Sequence, residues 1–488
     1  MSYVKGQDRQ QMFISSLDEM IAPENPIRIM DLLVDRFVLE NPEKYHWRGF
    51  RETGSGRPAY SPSDMLKLYL YGYSNRIVSS RKLEAECHRN IELKWLLNNL
   101  APDFKTIADY RRDNSQAISE MTISFNLLLK SKDLIKGNLM ALDGTKIKAN
   151  ANPGKNLTHD EIRDKIYEYE KEIFRYLYLL QDNDVNDELA ELDEKKFKTV
   201  ESIKEKISDL TGQKEHLEEC LKRLKENRGS NASSTDPESR LVKNRKDLYY
   251  GYNLQVIVDS LYKLIASAQV RQSPNDLHQM LPALDNLKKE LDLDPTVIVA
   301  DKGYDNPQVI RQIEQERETE VYVSVNESSD QYGKHSFTFD EEQNCYICPQ
   351  GQVLKQKRGL HKGRSRLARL YQCRADICNQ CPNKSDCTES NRGRSITRYE
   401  DEKWRDHYVR KVDSEPVKSI LQQRMCIIEH VFGVLKCWMG KIPLLLRGKD
   451  KVQTEINLYV TAYNLKRIIS LFGYDGAKEM ILSKGILS

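Results

Sequence analysis

Three carboxylates stand where chemistry gathers. Asp143 lies within NLMALDGTKIKANA, Asp301 ends the run TVIVA in TVIVADKGYDN, and Glu429 sits in EPVKSILQQRMCIIEHVFGVLKCWMG. A stretch as apolar as 297–300 reads as a strand buried on both faces, and reactive groups in an open α/β sheet collect at the carboxyl ends of such strands. Three acids brought close together do not all stay ionised without cations. For an all-oxygen set the fitting cation is magnesium, or manganese. Two such ions about 4 Å apart activate a water or hydroxyl and stabilise a leaving oxygen at phosphorus. Each acid also has a plain structural reading: Asp143 as a turn residue before Gly144, Asp301 as the cap of DKGYDN, Glu429 as one more charged helix residue. The strand order tips the balance toward a set. Asp259, at the end of VIVDS, is fully explained by a hairpin turn.

A second constellation is sulfur. Of ten cysteines, six lie between Cys345 and Cys387: Cys345, Cys348, Cys373, Cys378, Cys381 and Cys387. Two Cys-x-x-Cys pairs at this separation are compatible with one tetrahedral structural zinc, and local clustering favours a metal over a disulfide framework. Cys87, Cys220, Cys426 and Cys437 read as packing residues. Between the pairs, Gln352 to Gln372 carries seven Lys and Arg and no acid, including Lys355, Lys357, Arg358, Lys362, Arg364, Arg366 and Arg369. Such a tract is either a solvated loop or a surface for a phosphate backbone.

The elements that must position these groups follow from periodicity. The first 130 residues read as short helices. SPSDMLKLYLYGYS starts at Ser61 or Ser63 with Leu66, Tyr69, Leu70 and Tyr73 at helical spacing, and SSRKLEAECHRN starts at Ser79 or Ser80. IELKWLLNNL and APDFKTIADYRRDN follow, the latter with Arg111 and Arg112 near its end. This texture suits a helix-turn-helix type DNA reader, with those arginines exposed, and equally an ordinary helical domain. From Asn138 strands take over: NLMALDGTKIKANA, then GYNLQVIVDS and YKLIASAQV joined through Ser260, Leu261 and Tyr262. A helix in SPNDLHQMLPALDNLKKEL, capped by Ser273 or Asn275, leads to TVIVADKGY, the helix PQVIRQIEQERE and the strand EVYVSV. That order is a mixed α/β layer. Residues 157 to 228 interrupt it with two helical seams, Ile162, Ile166, Tyr169, Ile173, Leu177, Leu180 and Val200, Ile203, Ile207, Leu210, Leu217, Leu221, Leu224, which read as an antiparallel hairpin. Its 20 Asp and Glu against 14 Lys and Arg argue against DNA contact along its length. Glu429 and Lys436, seven residues apart on a helix, share a face.

Taken together these stretches resemble a bacterial insertion-sequence transposase of the DDE type. ALDGTKIKANA is similar to that family's first-Asp strand, VIVADKGYDN to its second-Asp strand, EHVFGVLKCWMG to the surroundings of its catalytic Glu, and LLRGKDKVQTEINLYVTAYNLKR to its C-terminal helix; GYNLQVIVDS and SPNDLHQM also fit. The resemblance implies an α/β, ribonuclease H-like mixed sheet core in which Asp143, Asp301 and Glu429 hold two magnesium or manganese ions. It implies that Lys436 contacts DNA near the scissile phosphate, with Arg424, Arg447 and the basic tract as further DNA contacts. The wider family carries a Tyr and an Arg where this chain has Gln422 and Met425. For the cysteines it implies zinc on Cys348, Cys378, Cys381 and Cys387, with Cys345 or Cys373 as substitutes.

The implied organisation is a helical DNA-binding domain over 1–130, a catalytic core over 131–156, 229–329 and 396–475, the inserted hairpin over 157–228, and a Cys-rich, zinc-ribbon-like basic insertion over 330–395. The expected partner is double-stranded DNA, transposon ends and target, bound by a homodimer or larger assembly. The alternatives are a non-catalytic zinc-containing DNA-binding protein and a nuclease of this fold that does not transpose. Net charge is +3, and no apolar run reaches the roughly 18 residues of a spanning helix. No membrane and a cytoplasmic, nucleoid-associated location are expected.

Overall fold

The computed structural model describes residues 14–39, 43–48, 58–152, 156–182, 200–226, 231–233, 235–244, 247–325, 331–357, 361–362, 367–399, 402–439 and 444–483. Its helices and strands form a mixed α/β protein. They divide into two compact units, one of residues 1–295 with 427–488 and one of residues 296–426.

In the first unit the predicted N-terminal helices are present: α1 (Pro26–Val38), α2 (Pro62–Ser74), α3 (Ser80–Arg89), α4 (Ile91–Leu96), α5 (Phe104–Asp113) and α6 (Ser115–Ser131). Their starts follow from capping chemistry. The Ser61 side chain accepts from Ser63 N ahead of Pro62, and Asp103 accepts from Lys105 N and Thr106 N, satisfying N–H groups that the helix leaves open. Leu66, Tyr69, Leu70 and Tyr73 are all buried, as their spacing predicts. These helices share a core with the C-terminal helix α15 (Lys449–Leu482), which packs against α1, α2 and α6 and against the strand Ile265–Arg271. Its helical dihedrals break at Gly473, where φ is 70°, a value that glycine adopts without a Cβ clash.

The first unit's sheet is built on β5 (Asp247–Asp259), buried from Tyr250 onward. One edge pairs antiparallel with β1 (Leu139–Lys148), in register Asp143 to Val256 and Gly144 to Gln255. The other edge is shared by β4 (Arg240–Asn244) and β6 (Ile265–Arg271) in succession. Flanked on both edges, β5 carries the buried apolar run Val256, Ile257 and Val258. Asp259 is the turn residue expected of it: it accepts from Leu261 N at 2.9 Å and from Lys136 N and Gly137 N, each at 3.0 Å. Helix α9 (Met280–Leu291) begins later than predicted, with Gln279 rather than Ser273 or Asn275 at its cap. The segment before it is held to the sheet by Asp276, described below.

The inserted hairpin is α7 (His159–Asp182) against α8 (Val200–Glu226). Ile162, Leu217 and Cys220 are buried with Ile166, Tyr169 and Leu221 against them. Leu177 departs from the predicted seam: it is exposed, as are Tyr167, Phe174 and Tyr178. The linking residues 183–199 lie outside the described set.

In the second unit β7 (Val297–Ala300) runs parallel to β8 (Glu320–Val323), joined by α10 (Pro307–Glu316). Tyr408 on α13 (Glu402–Val412) closes the β8 backbone, its hydroxyl accepting from Val323 N at 3.0 Å and donating to Val321 O at 3.1 Å. The Cys-rich insertion is larger than a zinc ribbon. It is a six-stranded sheet spanning Thr338–Tyr399, around a core of Phe337, Tyr346, Leu354, Tyr371, Cys373 and Ile396. Helix α14 (Glu415–Met439) crosses the division between the units.

Candidate active site

Asp143 is half-buried on β1, opposite Val256. Its Oδ1 accepts from the N–H of Gly144 at 2.8 Å. Glycine at 144 is demanded by what lies above it: a Cβ there would stand 2.6 Å from Asp276 Oδ1 and 2.7 Å from Gln255 Nε2. Asp276 Oδ1 accepts from Asn253 Nδ2 and Gln255 Nε2, both at 2.7 Å, and Lys146 Nζ lies 3.5 Å away. The sequence reading passed over this network. Its signal is the pair of amides two residues apart in an otherwise apolar strand, since buried amides announce a polar partner.

Asp301 directly follows β7, which ends at Ala300. Its Oδ1 caps the next turn, accepting from Gly303 N at 2.9 Å. The turn is fixed further by Asp305, which accepts from Arg405 Nη2 at 2.5 Å, and by Asn306, which caps α10 through Gln308 N at 3.2 Å.

Glu429 and Lys436 are both exposed, while Ile427, Ile428, Val431, Phe432 and Leu435 of the same helix are buried. The expected common face is therefore real. Lys436 Nζ sits 5.2 Å from the Phe432 ring centroid, a cation–π distance that steadies the ammonium. Beside Glu429, His430 Nδ1 is 3.3 Å from the Tyr463 hydroxyl of α15, a contact between the two helices. Burial, with Arg467 and Lys263 nearby, holds the His430 imidazole below its ordinary pKa.

Asp143 and Glu429 belong to the first unit and Asp301 to the second. Among the described residues no three His, Cys, Asp or Glu side chains are grouped as around a bound metal ion. The carboxylates nonetheless fit magnesium by donor chemistry, being hard oxygens carried on a strand, a strand end and a helix.

The expected DNA-facing groups separate. Arg111 is a correction: it is buried, and its Nη1 donates to the Tyr73 hydroxyl at 3.0 Å. Its guanidinium also faces the ring of Tyr69 at 5.3 Å. A helical period places Arg111 inward and its neighbour outward, which composition alone does not distinguish. Arg112 is outside, paired with Asp109 at 2.7 Å and Asp113 at 2.7 Å. Lys355, Lys357 and Arg369 are exposed in the Cys-rich sheet, and Arg447 is exposed with its Nε donating to Asn150 O at 3.1 Å. Arg424 is half-buried on α14. Arg358, Arg364 and Arg366 lie outside the described residues.

Cys348, Cys373, Cys378, Cys381 and Cys387 line one small cavity of about 40 Å³, room for an ion or a water. Cys348 Sγ accepts from Gln352 N at 3.3 Å, and Cys378 Sγ from Arg394 N at 3.4 Å. Burial, with Cys378 and Cys348 close by, pushes the Cys373 thiol up to about 12. Cys345 is elsewhere, buried on its strand opposite Lys355 and Asp340. Of the two substitutes, Cys373 lines this cavity and Cys345 does not. By donor type these thiols suit zinc, although among the described residues they are not drawn together as around a bound ion.

Two family models match the chain: "Transposase DDE domain" over residues 347–469 and "Transposase domain (DUF772)" over residues 15–113. The first spans the cavity cysteines, Glu429, Lys436 and Arg447; Asp143 and Asp301 lie before it. No curated protein matches. A solved piggyBac transposase synaptic complex with hairpin DNA is similar at 10% identity, covering 95% of this chain and 87% of that one, at a TM-score of 0.27.

Proposed function

We propose that this chain, an insertion-sequence transposase of the DDE type, cuts the ends of its element and joins them to target DNA through Asp143, Asp301 and Glu429 on a ribonuclease H-like core. The observation that carries the reading is the exposed face of α14, where Glu429 and Lys436 stand together inside the matched DDE domain. Asp143, Asp301 and Glu429 would hold two magnesium or manganese ions. Those ions, when bound, supply Lewis acidity for the attacking hydroxyl and the departing oxygen.

The chain's own residues do the rest. Gly144 N and Gly303 N each hold one oxygen of their aspartate, which orients the carboxylates before substrate arrives. Lys436 binds the phosphate backbone beside the scissile bond, and Arg447, Lys355, Lys357, Arg369 and Arg112 add contacts that position DNA without reading sequence. End recognition falls to the N-terminal helices. Cys348, Cys378, Cys381 and Cys387 would hold a structural zinc that stiffens the basic sheet. Because two ends must be paired, the working form is a dimer or larger assembly on DNA.

Asp301→Ala tests the reading on a duplex bearing the element's terminal inverted repeat. Cleavage in magnesium is expected to vanish while end binding persists. Undiminished cleavage by this variant overturns the assignment.

A further inference from the structure

The Asp276 network uses groups the proposed chemistry does not. Gly144 pairs with Gln255 and Lys146 with Asn253 across the β1–β5 ladder, so these four residues share one sheet face and Asp143 belongs to the other. Asn253 and Gln255 are almost fully buried. Both turn their amide N–H groups onto a single oxygen, Asp276 Oδ1, at 2.7 Å. That oxygen rests on the bare Cα of Gly144, where a Cβ would be 2.6 Å away. Gly144 N in turn donates to the Asp143 carboxylate at 2.8 Å.

Asp276 therefore fills the space beside Gly144, whose N–H binds the Asp143 carboxylate, from the opposite face, and buried amides hold it there. Amide donors in a desolvated setting bind an accepting oxygen strongly and leave it little freedom. Lys146 at 3.5 Å offsets the carboxylate's charge, so a second acid is tolerated near Asp143.

We infer that Asp276 is a positioning residue that sets the Asp143 carboxylate for its metal ion through Gly144, with Asn253, Gln255 and Lys146 as its mount. The inference rests on Asp143 being a metal ligand. Asp276 acts through an accepting oxygen rather than through its charge, and the two substitutions Asp276→Asn and Asp276→Ala separate these roles. Asparagine keeps an oxygen for both amides, whereas alanine removes it.

The test is manganese binding by the full chain on end DNA, followed by electron paramagnetic resonance, beside the magnesium dependence of cleavage. Asp276→Ala is expected to raise the manganese concentration for half-saturation about tenfold or more, raise the magnesium requirement in parallel, and leave metal-free end binding unchanged. Asp276→Asn is expected to stay near wild type in all three. Asp276→Ala with unaltered manganese binding overturns the inference, as does Asp276→Asn as impaired as alanine, which would make Asp276 a charge-bearing ligand itself. Asp143→Asn runs alongside: if that variant binds manganese normally, the reading of Asp143 fails, independently of Asp276.

Discussion

The first unit and the Cys-rich sheet solve the problem of stability differently. The first unit buries whole rings and aliphatic chains along α6, α15 and β5, with Phe37, Phe125, Tyr69 and Tyr73 fully enclosed. Several of its buried polar groups are paired across distant segments: Asn464 donates to Asn126 and Ile265 O, each at 2.9 Å, and Glu455 accepts from Leu446 N at 2.5 Å. The Cys-rich sheet encloses six side chains and gathers five thiols at the edge of that small core. A core that small needs a cross-link to hold its shape. On the proposed reading, ample burial leaves polar side chains such as Asp276 for positioning work, whereas scarce burial is offset by cysteines that would hold a zinc ion.

The contrast breaks most visibly at the cysteines. Replacing Cys378 and Cys381 by serine is expected to reduce zinc from about one per chain to nearly none, and to expose residues 296–426 to protease while the first unit stays resistant. Elemental analysis and limited proteolysis read both. A wild-type chain without zinc whose sheet resists protease would show that the cysteines only pack. Next in size is Phe125→Ala, which should cost the first unit about 3–5 kcal/mol and leave protection in the Cys-rich sheet unchanged, as hydrogen exchange would report.

A smaller effect is pH-dependent. Burial on α9 against β6 raises the Glu290 carboxyl to about 7, with Ser267 Oγ donating to it at 3.2 Å. A folded-state pKa above the unfolded value means that its contribution is complete at low pH and is lost as pH rises through about 7. Glu290→Gln should therefore stabilise the first unit above pH 8 by up to about 3 kcal/mol and change nothing near pH 4. Thermal melts across this range check it, and a gain of equal size at both ends would contradict it.

Local pattern made much of this legible. The apolar run at 297–300, the spacing of Leu66, Tyr69, Leu70 and Tyr73, and the common face of Glu429 and Lys436 all depend on residues within a turn or two of each other. Contacts between distant segments were not legible. Arg111 turns inward because Tyr73 and Val78 wait for it some 30 residues away, its Nη1 reaching Val78 O at 3.4 Å. Helix α9 starts late because Asp276 answers amides on β5. Leu177 leaves the hairpin seam although it has the right spacing, since a period gives a face but not its extent.

The central claim is that Asp143, Asp301 and Glu429 act as one metal-holding set, and sulfur substitution tests it most directly. Asp143→Cys, Asp301→Cys and Glu429→Cys are each assayed for cleavage of end DNA in magnesium and in manganese, because a thiolate ligand disfavours the harder ion and tolerates the softer one. The account predicts that all three are inactive in magnesium and that manganese restores cleavage. Full activity in magnesium at any of the three positions, or no recovery in manganese at all three, would contradict it.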